Sequence, residues 1–133
     1  MKTSRIMAAA LLIVGSGLTL HAAKAQQAGI QRTDLLQNDL GTPGREAVQV
    51  RVDFEPGAVS IRHSHPGEEV AYVLEGSLEY QLEGRAPAVL HAGEALFIPA
   101  GVAHVAKNVG SGKASELATY IVEKGAPLVV PVK

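Results

Sequence analysis

Strict alternation of apolar and polar residues is the feature of this sequence that most limits what the chain can fold into. Between Glu46 and Phe54 every second residue from Val48 onward is apolar, and the run from Leu78 to Leu82 repeats the pattern. A period of two places alternate side chains on opposite faces of a strand, and helical periodicity is hard to find in the remainder. The sequence therefore predicts half-buried β-strands.

Turn residues separate these runs at intervals of roughly 8 to 12 residues, which is typical of an all-β sandwich or barrel. Antiparallel strands in this number must close or pack as two sheets to hide their edges. We therefore predict an all-β fold, a small double-stranded antiparallel β-barrel. The expected strands are 46–54, 58–64, 69–75, 78–83, 86–91, 95–98, 102–109 and 115–122, with a short one near 30–36.

The first 25 residues are of a different kind from the rest. Lys2 and Arg5 precede an apolar stretch from Ile6 to Leu20, and Ala23-Lys24-Ala25 has small residues where signal peptidase cleaves. That stretch is shorter than the roughly 20 residues that span a bilayer, so a cleaved secretory signal is favoured over a membrane anchor. We predict an exported protein, periplasmic or secreted, with no membrane contact after cleavage. The expected segments are a signal peptide (1–25), an N-terminal arm (26–45), the barrel (46–124) and a C-terminal tail (125–133).

Composition excludes several kinds of chemistry. The chain has no cysteine, which rules out disulfides, zinc ribbons, iron–sulfur clusters and thiol nucleophiles. Three of its 12 basic residues lie in the predicted signal, whereas all 13 acidic residues follow it, so the mature domain is mildly acidic. With no basic stripe, no nucleic-acid partner is expected.

Histidines carry the strongest indication of chemistry. The chain after the predicted signal contains His63, His65, His91 and His104, and Glu69 follows the first pair after a Pro-Gly turn. Residues two apart on a strand face the same side, so His63 and His65 can meet one ion. Glu69 and His104 can complete a set that suits first-row transition metals better than Ca or Mg. A lone His-x-His is a weak signal, however, and is more often a polar surface pair or a hydrogen-bonded histidine.

Glycines and prolines frame these residues at regular positions. The segments 57–76 and 93–108, with the short spacer between them, resemble the two conserved motifs of the cupin superfamily in its small single-domain bacterial form. All ten motif positions are filled: Gly57, His63, His65, Glu69, Gly76, Gly93, Pro99, Gly101, His104 and Asn108. The resemblance implies a cupin or jelly-roll barrel in which His63, His65, Glu69 and His104 bind one divalent metal ion, either Fe, Mn, Ni, Cu, Co or Zn.

The other motif residues and neighbours receive simpler interpretations. The motif glycines are expected at positive φ or at close strand approaches, and Asn108 is expected to bond a neighbouring backbone. Tyr80 is a weak candidate for a phenol near the cavity, the alternative being a core tyrosine bonded at the rim. Glu68 and Arg62 are expected to face outward, and His91 is expected to be a solvated or structural histidine.

Parity along the strands gives a coarse picture of the barrel interior. If Glu69 and His104 point inward, then Ala71, Val73 and Ala106 share their faces. We therefore expect small, apolar walls that leave space for a small-molecule ligand and offer few polar groups to orient it.

Two functions follow from the resemblance. The first is a metal-dependent enzyme acting on a small oxygenated compound, either dioxygenase-like or, failing that, an isomerase or decarboxylase. The second is a non-catalytic module that binds a metal or a small molecule. A homodimer is expected in either case, because the strand edges of a small barrel invite pairing.

Overall fold

The fold consists of strands and turns. A computed structural model describes residues 27–133, and this part of the chain contains no helix, hence none that could cross a membrane. The predicted signal peptide lies outside the described residues. The strands are β1 (Ile30–Asp39), β2 (Arg45–Phe54), β3 (His63–Ser64), β4 (Glu68–Glu75), β5 (Ser77–Leu82), β6 (Ala88–His91), β7 (Ala95–Ile98), β8 (His104–Asn108), β9 (Ala114–Glu123) and β10 (Val130–Pro131).

Two five-stranded sheets face each other. The first has the order β1-β2-β9-β4-β7 and the second β10-β3-β8-β5-β6, and the paired strands are antiparallel. Closing the chain in this way covers the apolar faces of both sheets. The predicted all-β jelly-roll barrel is confirmed.

The alternation seen in the sequence places the core between the sheets. In β2, Val50, Val52 and Phe54 are buried while Arg51 is exposed, and β9 pairs with β2 along its whole length. Burial of these side chains is the main favourable contribution to folding, at roughly 25 cal/mol per Å² of apolar surface. The core also contains Ala71, Val73, Leu78, Leu82, Ile98, Ala106, Ala118 and Val122.

Two predicted strands differ from the observed ones. The short strand expected near residues 30–36 extends over Ile30–Asp39 and pairs with nearly all of β2, with a bulge between Asp34 and Leu36. The strand expected at 58–64 is regular only at His63–Ser64; upstream, Val59 makes one isolated bridge to Lys107.

Glycine is required at two places where strands meet closely. A Cβ atom on Gly67 would lie 1.9 Å from the Ile121 carbonyl oxygen. Gly76 has φ of +73°, and a Cβ there would lie 2.6 Å from the Lys113 carbonyl oxygen. The four motif glycines all have positive φ, as expected: Gly57, Gly76, Gly93 and Gly101.

The C-terminal tail lies at a sheet edge, which suits a segment containing two prolines. Val130 and Pro131 pair with Ser64 and His63. Leu128, just before this pair, packs against the core. The tail thus lies directly beside the first pair of candidate metal ligands.

Candidate metal centre

Three histidines meet inside the barrel because of how β3 and β8 pair. His63 lies opposite His104 in the register of these two strands, and His65 follows two residues later on the same face. The ring centroids are 4.3 to 5.0 Å apart. One nitrogen from each ring lies within 4.8 Å of the other two, and all three side chains are buried. This geometry allows one ion to be shared.

Glu69 approaches the histidines from the opposite sheet. It lies near the start of β4, and its Oε2 atom is 2.8 Å from Nε2 of His65 and 3.5 Å from Nε2 of His104. Only 2% of Glu69 is exposed. The structure therefore brings together all four predicted ligands, with the three histidines as the tight group and the carboxylate against two of them.

Backbone carbonyls set the tautomer of each ring. Nδ1 of His63 lies 2.7 Å from the Ile61 oxygen, and Nδ1 of His104 lies 2.9 Å from the Val102 oxygen. Nδ1 of His65 lies 2.6 Å from the Leu128 oxygen in the tail. A carbonyl oxygen can only accept, so each Nδ1 donates its hydrogen and each neutral ring keeps a lone pair on Nε2.

Two buried atoms are left without a hydrogen-bond partner among residues 27–133: Nε2 of His65 and Oε2 of Glu69. They are close to each other, but their geometry is not that of a hydrogen bond. Leaving such a group unpaired in the interior costs about 1–3 kcal/mol. A divalent cation between the rings and the carboxylate would satisfy both atoms, so the residues present fit a metal ion.

The protonation states of His63 and Glu69 suit metal binding, whereas that of His104 shifts the other way: burial alone would lower the pKa of His104, but Glu69 and the Val102 carbonyl outweigh it and raise the value. Burial lowers the pKa of His63 to about 4, so its ring is neutral near pH 7. Burial alone would raise the pKa of Glu69, but the adjacent His104 and His65 outweigh it and lower the value to about 2. Neutral imidazole and ionised carboxylate are the ligating forms.

A second polar cluster lies beside the metal centre. The Tyr80 hydroxyl donates a hydrogen bond to Oε2 of the buried Glu116, and Arg32 donates to the Tyr120 hydroxyl over 3.1 Å. Burial, reinforced by the charge of Glu69, raises the pKa of Glu116 to about 7. Burial likewise raises the pKa of Tyr80 and Tyr120 well above the usual value of a phenol.

The walls of the cavity are more polar than expected. The space between the two clusters measures about 20 Å³, and its lining includes polar side chains of Arg32, Ser60, Tyr80, Glu116 and Tyr120. The expectation of an apolar interior with few polar groups is therefore wrong. Parity along β4 and β8 could not show the side chains that β1, β5 and β9 contribute from their own faces.

Glu116, Arg32 and Tyr120 are the site residues that the sequence reading missed. One signal was available for Glu116: it shares a strand face with Ala118, Tyr120 and Val122, and an acid on an apolar face is unusual. No comparable signal marks Arg32, because β1 is largely exposed and its residues do not alternate.

The remaining predicted residues take structural positions. The Asn108 amide donates to the carbonyl oxygens of Phe54, Glu55 and Gly112 and accepts from the Gly110 amide. His91 is exposed and bonds Ser77. Glu68 and Arg62 face outward and form ion pairs with Arg45 and Glu83, respectively.

The chain is thus a small antiparallel β-barrel with a buried histidine–carboxylate cluster that could bind a metal ion. The Cupin domain family matches residues 50–129, which is more than half of the chain. The protein belongs to the cupin family.

Curated proteins that are similar to this chain include plant proteins. The chain is 32% identical over 101 residues to "Oxalate oxidase GF-2.8" of Triticum aestivum, covering 68% of this chain and 45% of that protein. It is 35% identical over 75 residues to "Germin-like protein 1-1" of Oryza sativa subsp. japonica, covering 53% and 35%, respectively. The chain thus spans less than half the length of these curated relatives.

Solved structures agree on the fold. An oxalate oxidase in complex with the substrate analogue glycolate superposes with a TM-score of 0.65 at 29% identity, covering 81% of this chain and 57% of that one. A cupin-like protein of Thermotoga maritima superposes with a TM-score of 0.64 at 23% identity, covering 77% and 75%. The second likeness concerns the fold alone.

Proposed function

We propose that the protein is a metal-dependent cupin enzyme that acts on a small oxygenated compound. The observation that carries the proposal is the pair of buried atoms on His65 and Glu69 that converge without any hydrogen-bond partner. A structural core would satisfy such atoms, whereas a metal centre leaves them for the ion. The similarity to proteins named oxalate oxidase supports an oxidative reaction, with isomerisation or decarboxylation as the alternative reactions.

His63, His65, Glu69 and His104 would hold the ion. When bound, a divalent transition metal supplies Lewis acidity and, if it is redox-active, access to dioxygen. Fe, Mn, Ni, Cu, Co and Zn all suit this donor set. The carbonyl oxygens bonded to the three Nδ1 atoms hold the rings in place. Glu116 and Tyr80 can hold and move a proton at the Glu116 carboxyl group beside the cavity.

The second candidate function is a non-catalytic module that binds a metal ion. The small cavity favours it, because about 20 Å³ is far below the roughly 300–1,000 Å³ of ordinary ligand pockets and leaves room for an ion and a ligand of only a few atoms. A substrate of more than a few atoms would enter only if a wall segment moved.

The metal site is tested by zinc titration and elemental analysis of the purified chain. We expect about one divalent ion per chain. Replacing both His63 and His104 by alanine should abolish binding, because the ion loses two of its four ligands. The control is His91→Ala, the same change at an exposed histidine, which should retain full binding. Full retention of metal in the double variant would contradict the proposal.

Activity separates the two candidate functions. The protein carrying the metal of its native compartment is screened for oxygen uptake with phenols, diketones and small carboxylic acids. Oxygen uptake that requires the metal supports the oxidative enzyme. A zinc-loaded protein that turns over nothing supports the binding module.

We further propose that the protein is exported and forms a homodimer. Residues 1–25 support export through their charged start, apolar stretch and Ala-x-Ala sequence.

The dimer is supported by four exposed apolar side chains: Val70, Tyr72 and Leu74 on β4 and Phe97 on β7. Val70 and Phe97 are register partners. Large exposed apolar surface of this kind marks interaction sites. These four residues are called the β4–β7 patch below.

A further inference from the structure

We propose that Arg32, with the Tyr120 hydroxyl beside it, forms an anion site in the barrel that takes the carboxylate of a small carboxylic acid. The inference rests on the proposed function, since it names the class of compound that the metal centre would act on. It concerns the second polar cluster, which no motif of the sequence includes.

Arg32 reaches the cavity from the edge of the first sheet. It lies on β1 opposite Val52, is half-buried, and contributes to the same cavity wall as His63 and Glu69. Its guanidinium donates to the Tyr120 hydroxyl over 3.1 Å and lies 5.9 Å from the centre of the Tyr120 ring. The tyrosine thus orients the guanidinium and leaves its remaining N–H groups for another acceptor.

Among the arginines of residues 27–133, Arg32 and Arg85 have no ionic partner, and of these two Arg85 is exposed whereas Arg32 lines the cavity. Arg45, Arg51 and Arg62 each lie within 3.4 Å of a carboxylate oxygen. Among residues 27–133, no carboxylate oxygen lies within 4.0 Å of Arg32.

Burial alone would lower the pKa of Arg32, but Tyr120 and, at longer range, Glu116 and Glu69 outweigh it and raise the value. The guanidinium is therefore charged, and its N–H groups that face no carboxylate can donate to a bound anion.

The charges around the cavity limit which anion fits. A divalent ion at the histidines together with Arg32 outweighs Glu69 and Glu116, even when both acids are ionised. A single negative charge is therefore accommodated, whereas the two carboxylates oppose a more highly charged group such as phosphate. The planar guanidinium also matches a carboxylate, and the small cavity restricts the compound to a few atoms.

Calorimetric titration with acetate and with its neutral counterpart acetamide tests this site in the full chain. Both compounds are titrated into zinc-loaded and zinc-free protein, so that binding to the ion and binding to Arg32 are measured separately. The variants are Arg32→Gln and Arg51→Gln. Arg51 is the matched control, since it is exposed on the adjacent strand and lies outside the cavity.

We expect acetate to bind the native protein more tightly than acetamide. Arg32→Gln should weaken acetate binding by about 10- to 100-fold and remove the preference over acetamide, because a charge-assisted hydrogen bond is lost. Arg51→Gln should bind acetate as the native protein does. The comparison of acetate with acetamide on the zinc-free native protein, where no ion can bind acetate, needs no variant and therefore stands even if Arg32→Gln does not fold.

The outcomes separate this inference from the proposed function. Acetate binding that depends on Arg32 in zinc-free protein supports the anion site even if zinc itself fails to bind, in which case the proposed function alone falls. Zinc binding with acetate affinity equal in Arg32→Gln and Arg51→Gln overturns the anion site and leaves the metal centre standing. Equal affinity for acetate and acetamide, or no acetate binding in either form, overturns it as well.

Discussion

Glu69 and Glu116 are two carboxyl groups in one barrel interior whose neighbours move their pKa values in opposite directions. Both are buried, which favours the neutral acid. Glu69 has two imidazoles beside it and ionises readily, with a pKa of about 2. For Glu116, burial and the nearby charge of Glu69 raise the pKa to about 7, although the hydrogen bond from Tyr80 lowers it. One carboxyl group is thus prepared to bind a cation and the other to carry a proton.

Glu116 makes the stability of the metal-free protein depend on pH. Its folded pKa of about 7 exceeds the ordinary value of 4.5, so the folded state binds more protons between these values. The contribution is fully present below pH 4.5 and is lost as the pH rises to about 7. We expect the free energy of unfolding of the native protein, relative to Glu116→Gln, to fall by about 2–3 kcal/mol over this range, measured by urea denaturation.

The control for this measurement is Glu123→Gln, the same change at an exposed position on the same strand. It should keep the pH dependence of the native protein. If Glu116→Gln keeps it too, the raised pKa of Glu116 is refuted.

At the scale of elements, the sharp connection between β4 and β5 depends on one glycine. Gly76 and Gly84 have nearly the same φ, at +73° and +77°. A methyl group on Gly76 would meet the Lys113 carbonyl, whereas nothing lies within 4 Å of the corresponding position on Gly84. Comparing an alanine substitution at Gly84 with one at Gly76 therefore separates the cost of positive φ from the cost of the steric contact.

We expect Gly84→Ala to cost about 1 kcal/mol of stability, because a residue with a Cβ atom is strained at positive φ. Gly76→Ala should cost about 2 kcal/mol more, because the added methyl group must also displace a neighbouring strand. Chemical denaturation of both variants measures the difference. Equal losses would show that the contact with Lys113 has no energetic effect.

The C-terminal tail contacts the candidate metal centre through its backbone. The Leu128 carbonyl oxygen accepts the hydrogen of His65 Nδ1, and loss of such a partner typically lowers metal affinity about 10- to 100-fold. A chain ending at Ala126 should show that loss in a zinc titration. A chain ending at Val129 keeps the carbonyl but lacks β10, and we expect it to bind zinc more tightly than the shorter chain. Equal zinc affinities of the two truncated chains would contradict this role.

At the scale of the whole molecule, each of the two sheets contributes part of the candidate site. The second sheet provides His63 and His104, with His65 directly after β3, and the first provides Glu69, Glu116 and Arg32. The centre therefore forms only when the sheets pack face to face. Metal binding should in turn stabilise the folded barrel, because the ion binds the assembled ligands better than the unfolded chain.

The β4–β7 patch gives a prediction about assembly. Val70→Lys places a charge in the patch, and Val89→Lys makes the same change at an exposed valine of β6 in the other sheet. We expect light scattering to show a dimer for the native protein and for Val89→Lys, and a monomer for Val70→Lys, since a buried unpaired charge opposes association. A dimer that survives Val70→Lys would place the interface elsewhere.

The sequence by itself determined the strands with one buried face and the set of candidate ligands. Both are local patterns: alternation in β2 and β5, and fixed spacings around His63, Glu69 and His104. Local patterns could not reveal the edge strand β1, since its side chains are mostly exposed and its hydrogen bonds to β2 hold it in place.

Only the tertiary structure decided what surrounds the candidate metal centre. Arg32 and Tyr120 are 88 residues apart in sequence, and Tyr80 and Glu116 are 36 apart, yet each pair forms a hydrogen bond. Such contacts depend on the register of strands that are distant in the chain and on how the two sheets face each other. The physical reason is that residue spacing sets the direction of a side chain within one strand, whereas packing between strands sets its neighbours.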